Sequence, residues 1–437
     1  MGAKGLSIKE IRNLPGGVFE GGRLHEAVPP YRVKEPVSCR LTGCGGDTLT
    51  LDADIFSKHL CFMGGIGTGK SNAIFHVVSQ LRQSLGQDDV MILFDTKGDF
   101  HEKFYRSGDV VISNDDTYAG VADAWNIFAE IDTINEGKIR ESVFEIAETL
   151  FYEKIHGSKE PFFPNAAKDV FAAILLHFMR SDHLPRDNET LKKYLDGSPM
   201  DLLRQMLGCY PDLTAMQTYI AKDSNQSTGV FSEVQQLSRK TFLSNFAKAG
   251  GLSMRQLVKQ KGGRVVFVEY DIGVANMLTP IYRLLFDMAI KESLSRNRTA
   301  GNVWFVIDEF RLLPHLQYIE NAVNFGRGLG VKFIIGVQNV SQIDEAYSGL
   351  AASILSGFST NIIFRLNDRA SKNYVQGIFD RNRKAEIYKS GSSQVIEHIR
   401  DGNVVEDWDI SGLELGESII GLPGQEPFGF RFREFEN

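Results

Sequence analysis

Apolar residues along this chain fall into two rhythms, and the switches between them outline a fold. Short, almost uniformly apolar runs recur at His59–Met63, Val90–Phe94, Val110–Ile112, Arg264–Val268, Val303–Ile307, Lys332–Gly336 and Asn361–Phe364. Runs of this length and uniformity predict strands buried on both faces. Stretches of helical spacing stand between them, beginning with Ala73–Leu81. Strands alternating with helices predict an α/β fold, a mainly parallel sheet with helices on both faces.

From about 136 to 261 the alternation stops. The period there is helical throughout, as in Ile139–Tyr152, Ala166–Arg180, Met200–Leu207 and Val230–Ala247, punctuated by Pro161, Pro164, Pro185, Pro199 and Pro211. We read it as an all-α domain inserted between two parts of the sheet domain, 55–135 and 262–437. Residues 1–54 carry short alternating runs, Ser38–Leu41 and Thr48–Leu51, among glycines and prolines. They predict a small β-rich N-terminal segment.

The chemistry starts where the first strand ends. Gly64-Gly65-Ile66-Gly67-Thr68-Gly69-Lys70-Ser71 is a full G-x-x-x-x-G-K-[ST] loop, with a strand pattern before it and a helix pattern after it. Such a turn aims successive backbone N–H groups and the positive end of a helix dipole at one point. Glycines let the backbone approach phosphate. Lys70 is expected at the β/γ-phosphates, and the Ser71 hydroxyl on Mg²⁺. The pattern predicts nucleoside triphosphate binding.

A second signal turns binding into hydrolysis. Val303–Ile307 runs straight into Asp308 and Glu309, and ligands in parallel sheets bind at the C-terminal ends of strands. Asp308 is the expected partner of the Ser71-bound Mg²⁺. Glu309 is placed to orient and deprotonate the attacking water. Gln338, at the end of the next apolar run, is the candidate γ-phosphate sensor, against a plain strand-end cap. Asp95 and Asp99 end another strand and are expected near the same edge. Arg327 lies among glycines in Asn324–Gly330, which keeps its side chain close to backbone.

Composition narrows the remaining classes. The 437 residues are 43% hydrophobic and 24% charged, an ordinary globular mix too long for one simple core. No window reaches the ~18–20 uncharged apolar residues of a membrane span, and the N-terminus lacks the apolar centre of a signal peptide. Cys39, Cys44, Cys61 and Cys209 suggest neither a disulfide framework nor a zinc site. They read as reduced thiols. A net charge of −7 excludes general attraction to nucleic acid. Any grip on DNA has to be local, and Val234–Val268 holds seven cations with no carboxylate. Lys248, Arg255 and Lys259 are its candidate DNA contacts; a solvated helix face is the alternative.

Taken together in order, these motifs resemble the conjugative coupling proteins of type IV secretion (the TraG/TraD/TrwB group), a branch of the FtsK/HerA superfamily of RecA-like motors. The resemblance runs from about residue 55 to the C-terminus. It rests on Gly64–Ser71, Asp95-Thr96-Lys97-Gly98-Asp99, Ala124–Phe128, Phe305–Phe310, Gly326-Arg327-Gly328, Gly336–Ile343 and Thr360–Arg365. It implies a RecA-like P-loop NTPase domain with an all-α insertion, working as a homohexamer with ATP and Mg²⁺ at subunit interfaces. It also implies that Arg327 reaches a neighbour's γ-phosphate in trans. Lys58 stands where some members carry a further arginine. The expected partners are DNA, a relaxase or other secretion substrate, and the channel or a membrane partner, which would hold this chain at the cytoplasmic face of the membrane. Many members begin with transmembrane helices, so either a truncated chain or a soluble member docked to a membrane partner is expected. Alternatives are a HerA/FtsK-like duplex DNA translocase and an ATPase that recruits protein effectors.

Overall fold

The computed structural model describes residues 4–5, 18–34, 36–221, 224–273, 275–297, 299–347, 349–389 and 395–436. The chain divides into two compact units. One comprises 1–84, 305–311 and 323–437; the other comprises 85–304 and 312–322.

In the first unit the strands lie in the order Phe428–Arg431, Glu417–Gly421, Thr360–Ile363, Leu60–Met63, Val331–Val337 and then residues 305–307 of the strand Val303–Ile307. Leu60–Met63 runs parallel to both neighbours, with Met63 level with Val337 on one side and with Ile363 on the other. Gly64, Gln338 and Phe364 therefore leave the sheet at the same edge. Residues 60–63 are buried on both faces, as their unbroken apolar run requires. Two antiparallel strands, 417–421 and 428–431, close the far side.

The helix Lys70–Ser84 follows the loop and buries Ala73, Ile74, Val77, Val78 and Leu81, the apolar stripe its period demands. Against it rests the hairpin Val37–Thr42 with Thr48–Asp52. Gln80 fixes this contact by bonding both the N–H and the carbonyl of Arg40 at 2.8 Å. A further antiparallel pair, Arg381–Lys389 with Val395–Asn403, was absent from the sequence expectation. Its polar sequence offers no apolar run to read.

In the second unit Val110–Ile112, Arg264–Glu269 and Val90–Asp95 are parallel, with Asp95 level with Glu269. Helices succeed one another from Glu136 to Gln260, with an isolated β-bridge at Leu252. Glu136–Gly157 starts on Asn135, whose side chain accepts from Lys138 N–H. It packs Phe151 against Phe171 of Phe162–Arg180. The run 170–176 and Phe178 are fully buried, so this most apolar stretch is a core helix. Burial of side chains like Phe171 and Ile174 contributes about 1.5–3 kcal/mol each. Among the described residues, no helix is long and apolar enough to cross a membrane. The helix expected over 230–247 ends at Thr241, and Ser244, with φ of 41°, turns the chain into a separate short helix.

The aromatic stretch 124–128 also has a structural role in this unit. Trp125 Nε1 donates to buried Glu130 at 2.8 Å. The same carboxylate takes the N–H groups of Met254 and Arg255 and the Ser253 hydroxyl, capping helix Met254–Gln260 from 124 residues away in sequence.

Candidate nucleotide site

The loop between Met63 and Lys70 is shaped by glycine. At Gly64 a Cβ would lie 2.6 Å from Phe364 Cβ and 2.9 Å from Thr68 Oγ1, so no side chain fits. Gly69 has φ of 107°, a conformation L side chains rarely adopt. The loop's base is tied down by Gly64 N–H to the Val337 carbonyl at 3.0 Å and Gly65 N–H to the Arg365 carbonyl at 2.9 Å. Its tip, Ile66, is exposed. Lys70 Nζ lies back over the loop, donating to the carbonyls of Gly64 at 2.6 Å and Gly65 at 3.1 Å.

Three further expected residues meet beside it. Ser71 Oγ donates to Asp308 Oδ2 at 2.8 Å. A hydroxyl and a carboxylate in contact are hard oxygen donors of the kind Mg²⁺ takes. Glu309 is bonded by Arg311 Nε at 3.2 Å and by Gln338 Nε2. Burial raises the Glu309 pKa above the ordinary carboxylate value, while Arg311, Lys70 and Gln338 oppose the shift. A carboxylate held this way is a better proton acceptor than one in water.

Arg311 and Gly336 belong to this site and were not among the sequence candidates. Arg311 carried no sequence signal. Gly336 did, because a glycine inside a strand marks close backbone approach. A Cβ there would lie 1.9 Å from the Asp308 carbonyl oxygen.

Arg327 is not part of this cluster. It sits in the turn Gly326–Leu329 and donates to Asp54 at 2.7 Å. Among the described residues no hydrogen bond or ion pair joins it to Lys70, Asp308, Glu309 or Gln338.

Asp95 caps its own turn in the second unit. Its carboxylate accepts from the N–H groups of Lys97, Gly98, Phe100 and His101 at 2.9–3.1 Å. Asp99 opens the helix Asp99–Phe104 that this turn starts. Beside Asp95, burial and the neighbouring carboxylate push Glu269 up to about 9.

The basic stretch needs correction at Arg255. Its guanidinium bonds Glu292 at 2.9 Å, Asp132 at 3.3 Å and the Glu130 carbonyl at 3.0 Å, with only 14% of the side chain exposed. Carboxylates distant in sequence neutralise it, so it braces this unit and is no open phosphate contact. Lys259 lies 3.6 Å from Glu292 but is half exposed, and Lys248 is exposed.

A phosphate-type loop between a parallel strand and its helix, with Asp-Glu ending a strand of the same sheet, is the arrangement of an α/β P-loop nucleotide-binding fold. Residues 47–409 match the type IV secretion-system coupling protein DNA-binding domain, and the chain belongs to that family. It is 24% identical over 401 residues to the coupling protein TraD of Escherichia coli K12, covering 85% of this chain and 52% of TraD. It is 22% identical to the conjugal transfer protein TraG of Agrobacterium fabrum, covering 80% and 55%. The chain thus spans about half the length of the curated relatives it matches. Among solved structures it resembles the plasmid coupling protein TrwB in complex with ADP and Mg²⁺, with a TM-score of 0.73 and 17% identity over 97% of this chain and 96% of the other. The unbound TrwBdeltaN70 gives the same TM-score at 18% identity, over 92% and 90%.

Proposed function

We propose that this chain is an ATP-hydrolysing motor that moves DNA toward a type IV secretion channel, acting as a homohexamer and receiving the strand with a bound relaxase. The observation that carries the reading is the contact of Ser71 with Asp308, beside Glu309 and Gln338, in a member of the coupling-protein family. Lys70 and the backbone of Gly64–Gly69 hold the phosphates of ATP, and Ser71 and Asp308 hold Mg²⁺, which neutralises charge on those phosphates. Glu309 orients the attacking water and takes its proton. Gln338, already bonded to Glu309, links that base to the γ-phosphate. Arg327, apart from its own loop, serves the site of an adjacent subunit. The nucleotide-binding domain is built from 55–135 and 262–437, with 136–261 as the insertion. Lys248 and Lys259 are the DNA contacts retained from the basic stretch. A membrane partner holds the assembly at the cytoplasmic face.

The test is ATP turnover by the purified chain with and without single-stranded or duplex DNA. Turnover should rise with DNA and vanish in Lys70→Ala. Rings mixed from Arg327→Ala and Lys70→Ala protomers should regain activity, because some interfaces then pair an intact loop with an intact arginine. Turnover indifferent to both forms of DNA would refute the DNA-motor reading and favour recruitment of protein substrates.

A further inference from the structure

A single carboxylate in the first unit gathers three cations from separate parts of the chain. Asp54 lies on the short helix Ala53–Phe56. Its Oδ1 accepts from Arg327 at 2.7 Å, and its Oδ2 accepts from Lys58 and from Lys34 at 3.0 Å each. Hydrogen bonds from Lys34 and Lys58 hold the Asp54 carboxyl well below the ordinary range, at about 2. Asp52 caps the same helix, accepting from the Lys34 and Ile55 N–H groups at 2.7 and 2.8 Å, so the three cations face two carboxylates and leave one positive charge in excess at this surface.

The supports are stiff. His59, next to Lys58, donates from Nε2 to the Val323 carbonyl at 3.2 Å and accepts from Phe333 N–H at Nδ1, 3.1 Å away. That bonding needs a neutral ring, and burial lowers its pKa to about 4. The Lys58 corner is thereby stitched to the chain just before Arg327. Gly326 packs so close that a Cβ would lie 2.9 Å from Val331 Cβ. The Arg327 side chain is itself 53% exposed, and Phe325 beside it is 73% exposed, so a single chain leaves this edge uncovered.

We infer that Asp54 is a positioning residue for Arg327, holding it with Lys58 and Lys34 as one preorganised cationic cluster that meets the γ-phosphate bound by a second copy of this chain. The inference rests on the trans-acting role proposed above for Arg327. An arginine on an exposed turn samples many rotamers, and ordering it during each turnover has an entropic cost. An ion pair with a carboxylate on a rigid corner removes that cost beforehand. Without Asp54, three like charges repel and the guanidinium loses its anchor. Asp54 itself needs no contact with nucleotide.

The experiment compares kcat and KM for ATP in Asp54→Asn, Asp54→Glu and Arg327→Ala, alone and mixed with Lys70→Ala protomers. Arg327→Ala should lose about 10³–10⁵ in kcat. Asp54→Asn should lose about 10–10² in kcat with KM nearly unchanged, the signature of misplacing a group by about an ångström. Asp54→Glu, which keeps the charge, should recover most of that loss. Mixing Asp54→Asn with Lys70→Ala should also restore turnover, since the Lys70→Ala protomers supply an intact Asp54–Arg327 pair to the intact loops. Wild-type kcat in Asp54→Asn beside a slow Arg327→Ala would overturn the positioning role and leave the trans arginine standing. Wild-type kcat in Arg327→Ala would overturn both. A slow Asp54→Asn that neither the glutamate nor mixing rescues would show only local damage to the helix, and would equally overturn the inference.

Discussion

Glu309→Gln isolates the proposed proton acceptor with little disturbance to the fold. The side chain is 13% exposed and is bonded by Arg311 and Gln338. Glutamine has the same shape, and its amide oxygen can still accept from Gln338. Arg311 is 42% exposed, so losing its ion-pair partner costs at most about 1 kcal/mol. The proton acceptor is what disappears. General-base catalysis contributes about 10²–10⁴ in rate, or about 2.7–5.4 kcal/mol of barrier. Lys70, Ser71 and Asp308 are untouched, so nucleotide affinity should change by less than about 1.4 kcal/mol, a factor of ten. The assay is steady-state turnover at saturating ATP and Mg²⁺, with affinity measured separately by a fluorescent nucleotide. Slow turnover with near-normal binding is the expected result. Turnover at the wild-type rate would refute the assignment. A loss of affinity matching the loss of rate would place the damage in the loop instead.

Three further predictions follow from single contacts. Gln338→Ala removes a hydrogen bond that lowers the Glu309 pKa. The acid limb of the kcat–pH profile should therefore move to higher pH, and an unmoved limb would remove Gln338 from the base's environment. Gly336→Ala forces a Cβ against the Asp308 backbone and should cost about 1–3 kcal/mol or more, read as a lower melting temperature together with weaker Mg²⁺-dependent nucleotide binding; if both are unchanged, the close approach is wrong. Glu269 has its folded pKa raised to about 9, so the native chain keeps a proton that the unfolded chain releases near the ordinary carboxylate pKa. Its contribution is complete below that ordinary value and is lost as pH rises toward 9, on the order of a few kcal/mol. Glu269→Gln should flatten the fall in urea midpoint between pH 5 and pH 8.5, and an equally steep fall in the variant would exclude Glu269 as its source.

The sequence by itself determined whatever depends on neighbouring residues. The turn Gly64–Ser71 between strand and helix was legible because its glycines, lysine and hydroxyl stand at fixed spacing between an apolar run and a helical period. Asp308 and Gln338 each follow directly on an apolar strand, with Glu309 one residue on, and they were legible because strand ends in a parallel sheet share one edge. The helical run from 136 to 261 showed itself by period. Tertiary structure decided what depends on residues far apart in the chain. Asp54 meets Arg327 across 273 positions, and neither residue's local sequence announces the other. Arg255 looked like an open cation because its own segment has no acid, yet Glu292, Asp132 and Glu130 reach it from elsewhere in the fold. Gly336 is glycine because of the backbone of a neighbouring strand. Charge, close approach and burial act through space, and a linear pattern carries them only where the chain happens to be its own neighbour.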